Sequence, residues 1–349
     1  MNKTKIDWAD MTWNPVTGCL HGCEYCYARR IAQRFGNSII TPEEAKSMME
    51  IVLGYEEGVE FEISRSGVAL SKPVHSFETK VAYPFGFAPT FHRYRLKEPQ
   101  HIKKPQRIFV CSMADLFGDW VSDQWVHEVF TACEKAPWHQ YLFLTKNGER
   151  YEQLGLLPDK DNFWYGTTRT GASSRLEHGA SDHGNTFLSI EPILAPLDEV
   201  TLGAIEFWDW VIIGAETGSR KGKVNPKREW VERIANTCLA AEVPVFMKST
   251  FRELMGKDFI QQTPWDRLSK ESAREEKGRA SSVHDRIAPE CAGIVSVAVK
   301  RDIPGKFHIL QQLEHVKDIQ PGVLCDIDDI DARPVHDDIV EAKFESVHG

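Results

Sequence analysis

The chain has no run approaching the ~18 continuous apolar residues of a membrane-spanning helix, so no membrane role is expected. Its first residues, MNKTKIDWADMTW, lack the apolar core and small-residue cleavage site of a secretory signal. A cytoplasmic setting is the expectation, and cysteines there stay reduced, which disfavours disulfides. No internal repeat is found. Cysteine itself is scarce, at eight in 349 residues. What remains is a globular chain, 42% hydrophobic and 10% aromatic, with enough apolar residues for a sizeable core.

The net charge of −9 is unevenly placed. Residues 321–349 carry eight acids against Arg333 and Lys343, leaving the first 320 residues near neutral. Two stretches are short of acids instead. FHRYRLKEPQHIKKPQR (91–107) holds six Lys or Arg and one acid, and GSRKGKVNPKR (218–228) holds five and none. Each reads as a solvated face or as a phosphate-binding surface.

Strands are expected at RIFVCS (107–112), QYLFLTK (140–146), FWYGTT (163–168), TFLSIEP (186–192), DWVIIGAE (209–216) and VPVFMKS (243–249). Several lack strict alternation, as strands buried on both faces of a parallel sheet do. Helices are expected at 123–136 and 226–242, the second with Trp230, Ile234, Cys238 and Ala241 on one face. Further strands fall near 12–17 and 84–92. The sum is an α/β chain forming a partial or complete (β/α) barrel, with a doubly wound sheet as the alternative. The barrel domain spans 1–258, with an excursion at about 54–81. A polar linker (259–290) leads to a small acidic appendage (291–349), in which 292–313 reads as two strands around a turn.

Three of the eight cysteines fall within eight residues, in TGCLHGCEYCYARR (17–30). The pattern of Cys19, Cys23 and Cys26 is C-x3-C-x2-C. Structural zinc needs four ligands, usually as two separated couples, and no second couple exists. His21 inside the loop is a candidate fourth ligand with little room to join. A redox C-x2-C would leave Cys19 idle. Cys111, Cys133 and Cys238 lie in apolar or helical segments, where a buried inert thiol is the usual reading. A four-iron cluster held by three thiolates accounts for the pattern best, because it leaves one iron open.

With Tyr25 at the aromatic position, the loop resembles the C-x3-C-x-aromatic-C signature of the radical S-adenosylmethionine superfamily. TWNPVTGC, KKPQRIFVCSMADLF, PWHQYLFLTK, FLSIEPIL, WVIIGAETG and VPVFMK extend the resemblance to a phage-associated family of such proteins with substrate unassigned. The resemblance implies a [4Fe–4S] cluster on Cys19, Cys23 and Cys26, S-adenosylmethionine on the open iron, and its reductive cleavage to methionine and a 5′-deoxyadenosyl radical. It also implies an electron donor such as flavodoxin or ferredoxin. The superfamily's Gly-Gly-Glu stretch after the second strand is not evident, and GAE (214–216) is similar but later.

Polar residues at strand ends should face the site of a parallel barrel. On that ground Ser112, Asp115, Lys146, Glu191, Glu216 and Lys248 are expected to contact cofactor or substrate, beside Tyr25 at the cluster loop. Their plain alternatives are helix caps, a packing aromatic and Glu–Lys structural pairs. Nucleic acid or a nucleotide comes first as substrate class and a peptide second. A non-catalytic binding protein with a structural iron–sulfur or zinc site is the rival function.

Overall fold

Apolar runs with both faces to bury form strands in the interior of a sheet, and the described residues do this six times, with a seventh parallel strand at the edge. The computed structural model describes residues 1–36, 61–64, 67–76, 79–155, 157–171, 184–265, 295–302, 306–309, 331–336 and 339–344. It begins with β1 (Asn2–Lys3), β2 (Met11–Trp13), β3 (Val16–Thr17) and α1 (Tyr27–Phe35). Next come β4 (Phe61–Ser64), β5 (Gly67–Leu70), β6 (His75–Ser76), β7 (Thr79–Lys80), β8 (Thr90–His92) and α2 (Glu98–His101). Strand and helix then alternate: β9 (Arg107–Val110), α3 (Asp123–Glu134), β10 (Gln140–Thr145), α4 (Glu149–Gln153) and β11 (Phe163–Arg169). The series continues through β12 (Asn185–Ile190), α5 (Glu199–Gly203), β13 (Val211–Ile213), α6 (Arg228–Ala240), β14 (Val245–Met247) and α7 (Arg252–Met255).

The main sheet has eight strands in the order β1-β2-β9-β10-β11-β12-β13-β14. All pairs from β2 to β14 are parallel, and only β1 runs against its neighbour. The order never reverses, so this is not the doubly wound arrangement. It is a linear order with β1 and β14 at the edges, and no strand pairing closes the ring among the described residues. The fold is α/β with a mostly parallel sheet.

One face of the sheet packs on helices. Ile108, Val110, Tyr141, Phe143 and Tyr165 meet Trp125, Val126, Val129 and Phe130 of α3. Leu188, Ile190, Val211, Ile213, Val245 and Met247 meet α6. The buried face of α6 is Val231, Ile234, Ala235 and Cys238. Trp230 and Ala241, expected on it, are only partly covered, so the face is turned by about one residue. Alternate strand residues point the other way, as the two-residue repeat requires. Phe109, Leu142, Trp164, Phe187, Trp210, Ile212 and Phe246 form this second layer around Trp8.

Trp8 shows that the sheet curls. Its ring lies 4.7 Å from Phe109 in β9 and 6.4 Å from Trp210 at the start of β13. Those strands are four positions apart, about 19 Å on a flat sheet. One indole touches both because the strands bend around it. The same segment reaches the far edge, where the Asp7 carboxylate accepts from the Ser249 amide just past β14 (2.6 Å).

A second, four-stranded sheet has the order β3-β8-β5-β4, and β6 and β7 form a hairpin. The described part of the expected excursion thus builds a small sheet. Residues 37–60, with the excursion's beginning, lie outside the described residues. The chain divides into compact units of 1–268 and 269–349. In the second, β15 (Val295–Asp302), β16 (Lys306–Ile309), β17 (Asp331–His336) and β18 (Ile339–Phe344) form an antiparallel sheet ordered β16-β15-β18-β17. The two strands expected around a turn are β15 and β16, and the acid-rich end supplies β17 and β18. Most of the expected linker, 266–290, lies outside the described residues. Among those described, no helix is long and apolar enough to cross a membrane.

Candidate functional site

Parallel strands that start together also end together, and the polar residues just beyond their ends collect on one rim. Here they surround a cavity at the C-terminal ends of β9 to β14, on the curled inner face. Cys19, Cys23, Cys26, Tyr25, Ser112, Asp115, Lys146, Glu191, Glu216 and Lys248 all line it. Ten residues singled out in the sequence, spread over 230 positions, are thus brought together. Ile6, Trp8, Phe87, Phe109 and Leu144 supply apolar wall.

The cysteine loop leaves β3 through Gly18, whose φ of +86° suits glycine. A Cβ there would stand 2.2 Å from the Ala88 carbonyl oxygen, so the close approach also excludes any other side chain. The Gly18 and Cys19 amides donate to the carbonyls of Met113 (2.9 Å) and Phe87 (3.3 Å), pinning the loop's entry. Its exit is the N-cap of α1, where the Cys26 sulfur accepts from the Arg29 amide (3.3 Å). No acid occupies the first turn of α1, so the amide ends of that helix face the cysteines with their partial positive charge unopposed.

Two clasps hold the loop from the sides. His21 Nε2 lies 2.7 Å from Asp115 Oδ2. Asp115 is buried and also accepts from Thr145 Oγ1 (2.8 Å), the Lys146 amide (2.9 Å) and the Phe117 amide (3.0 Å). Its carboxylate ties the ends of β9 and β10 to the cysteine loop and is saturated by protein donors. On the other side Arg220 grips Glu216 bidentately (2.7 and 2.9 Å) and reaches Glu24 between the cysteines (3.4 Å). The Arg220 guanidinium holds the Glu216 carboxyl below the usual carboxylate range. Arg30 of α1 donates to the Thr217 carbonyl (3.4 Å).

Glu191 pairs with Lys248, the plain Glu–Lys reading of those two strand ends. The pair spans Gly214 of the strand between them, where a Cβ would come within 2.9 Å of both side chains. Lys146 differs from these paired groups. Its ammonium stands 5.4 Å over the Tyr25 ring, and burial lowers its pKa. Burial raises the pKa of Tyr25. The Ser112 hydroxyl donates to Asn14 Oδ1 (3.2 Å), which also takes the Met113 amide (2.9 Å).

Sequence reasoning did not single out Asn14, Glu24, Tyr27 or Arg220 as parts of the site. Tyr27 donates to the Ser112 carbonyl (2.7 Å) and lines the cavity. Asn14 and Tyr27 fall within the motif segments, but their partners sit about 85–100 positions away, and no local pattern encodes that. The first basic stretch is largely spent on structure: Arg93 pairs with Glu128, Arg95 with Glu98, and Arg107 with Asp10.

The cysteines divide as their surroundings dictate. Cys111, Cys133 and Cys238 are buried in apolar packing, while Cys19, Cys23 and Cys26 are partly exposed at the cavity. Burial pushes the Cys111 and Cys238 thiols up to about 12 and does the same to Cys19, so exposure at the cavity, not acidity, sets the loop apart. Among the described residues no three His, Cys, Asp or Glu side chains converge tightly enough to share one metal ion. A four-iron cluster asks each cysteine to reach only its own iron. Three thiols on one wall, beside helix amides that favour negative charge, fit such an anionic cluster.

No curated protein and no solved structure matches the chain. Residues 3–284 match DUF5131, a family described as a protein of unknown function. That span contains all seven parallel strands of the curled sheet, the cysteine loop and every residue of the cavity. The chain belongs to the DUF5131 family.

Proposed function

We propose that the cavity is the reaction centre of a radical S-adenosylmethionine enzyme, built on a partial (β/α) barrel of that superfamily's type. One observation carries the reading: the C-x3-C-x-aromatic-C loop follows the first parallel strand, and its three cysteines share a cavity with the polar ends of five later strands. Cys19, Cys23 and Cys26 would hold a [4Fe–4S] cluster. Loaded and reduced by an electron-donor protein, the cluster supplies the electron that splits S-adenosylmethionine into methionine and a 5′-deoxyadenosyl radical.

The chain's own residues do the positioning. The amide end of α1 favours the anionic cluster and a ligand carboxylate. Lys146 offers a cation inside the cavity, held against Tyr25. The Glu191–Lys248 pair presents both charge signs where two strand ends meet, fit to orient an amino acid or a hydroxyl group. Asp115 and Arg220 act through the loop they clasp. The apolar wall of Trp8, Phe109 and Leu144 excludes water from a reactive intermediate.

The test is anaerobic purification followed by dithionite and S-adenosylmethionine. A brown protein with about four irons that releases 5′-deoxyadenosine is expected. A colourless protein with stoichiometric zinc overturns the reading. A cluster without cleavage turns it toward a non-catalytic protein with a structural site.

A further inference from the structure

Helix α1 carries more than a capping end. Ala28 and Ala32 face inward, and the adjoining face, turned by about 80° around the helix, is apolar yet exposed: Tyr27 is 42% exposed, Ile31 37% and Phe35 61%. A helix that only packed on the domain would turn such residues inward. Spaced four apart, the three form a line about 12 Å long at 1.5 Å per residue. The line begins in the cavity wall, because Tyr27 lines the cavity with its hydroxyl fixed to the Ser112 carbonyl.

Cations run beside the line. Arg30 and Arg34 are exposed on the same side of α1, and the Arg34 guanidinium lies over the Phe35 ring at 5.2 Å. Arg30 joins α1 to the loop at 217–223, which adds exposed Lys221 from the second basic stretch. The helix has no acid at all, and the nearest in the loop, Glu24, is engaged by Arg220. Two basic segments nearly 190 residues apart in the chain thus meet at the cavity mouth.

Exposed rings interleaved with cations complement a polyanion that also offers flat faces to stack on. We infer that the exposed face of α1, continued by the loop at 217–223, docks single-stranded nucleic acid and leads one nucleotide into the cysteine cavity. Phosphates meet Arg30, Arg34 and Lys221, and unstacked bases lie on Tyr27 and Phe35. A single strand fits better than a duplex because the cavity is recessed, and a paired base would first have to leave its stack. The inference names the substrate class of the proposed reaction centre and rests on that reading for its chemistry, but not for the binding.

The test is fluorescence anisotropy of the full-length protein with labelled 12-nucleotide single-stranded DNA, single-stranded RNA and a DNA duplex. Three phosphate contacts predict a slope of log affinity on log salt of about −2, from roughly −0.7 per contact. Arg34→Glu and Lys221→Glu should each weaken single-strand binding about tenfold and flatten the slope by about 0.7. Phe35→Ala should weaken it about tenfold with the slope unchanged. Lys104→Glu, just before β9 at the opposite end of the strands, should change nothing. Preference between RNA and DNA identifies the natural strand. No single-strand binding at low salt, duplex binding that is equally tight, or equal losses from Lys104→Glu and Arg34→Glu overturns the inference. Iron and 5′-deoxyadenosine are measured on the same preparations. Binding without iron sinks only the reaction reading, and iron with cleavage but no binding sinks only the docking surface.

Discussion

Asp115→Asn tests the core of the site. The Asp115 carboxylate has four donors divided between two oxygens: Thr145 Oγ1 and the Phe117 amide on one, His21 Nε2 and the Lys146 amide on the other. An asparagine keeps one acceptor oxygen and puts an NH2 where the other was. The Thr145 hydroxyl can turn to accept, and His21 can change tautomer, but a backbone amide cannot adapt. Whichever way the new side chain turns, the amide of Phe117 or Lys146 is left buried without a partner. One such orphan costs about 1–3 kcal/mol, and the remaining bonds lose their charge assistance. A total of roughly 2–3 kcal/mol follows, which for a domain of this size lowers Tm by about 4–10 °C. Thermal melts followed by circular dichroism measure it, with iron assayed on the same samples. His21→Ala leaves the other three bonds in place, so it should lower iron occupancy with little change in Tm. If Asp115→Asn melts within 1–2 °C of the parent and holds its iron, the clasp is not what fixes the loop.

Cys19→Ala, Cys23→Ala and Cys26→Ala should each remove most bound iron while Cys133→Ala and Cys238→Ala keep it, and equal losses in both groups would mean the loop is not special. Gly18→Ala drives a Cβ to 2.2 Å from the Ala88 carbonyl oxygen at a left-handed φ, so a loss of about 3 kcal/mol or more and of iron is expected; a melt like the parent's would refute the geometry. His92 is buried against Thr17 Oγ1 (2.9 Å) and Tyr94 Oη (3.1 Å), and burial depresses its pKa to about 3. The unfolded chain gains a proton below about pH 6.5 that the folded chain refuses. Stability is therefore full above that pH and falls by about 1.4 kcal/mol per unit toward pH 3. Urea midpoints at pH 7 and pH 5 measure this, and His92→Gln should remove that part of the slope. Glu191→Ala frees Lys248 and should leave iron in place while weakening S-adenosylmethionine about ten- to a hundred-fold, one charge-assisted hydrogen bond of roughly 1.5–3 kcal/mol; unchanged binding and cleavage would return the pair to a structural role.

The amino-acid sequence alone determined the parallel strands from β9 to β14 and the two longest helices. A strand buried on both faces must be apolar and favours β-branched residues, so RIFV, QYLFLT, FWYGTTR and NTFLSI announced themselves within a residue or two of β9 to β12. The cysteine spacing and the polar strand ends were equally plain, because each is a statement about neighbours in the chain. Tertiary structure alone decided how those ends are used. Glu191 and Lys248 face each other because β12 and β14 flank a strand whose end is Gly214, whereas Glu216, with the same look in sequence, is taken by Arg220 four residues on. Asp115 read as a contact for cofactor or substrate or as a helix cap, yet donors from β10 and the cysteine loop saturate it. The basic stretches at 91–107 and 218–228 read alike, and in both the arginines are spent on carboxylates: Arg93, Arg95 and Arg107 on Glu128, Glu98 and Asp10, and Arg220 and Arg228 on Glu216 and Asp258. Burial leaves a periodic trace along a chain. The choice of a polar partner leaves none, because it depends on which strand ends the curl of the sheet makes adjacent.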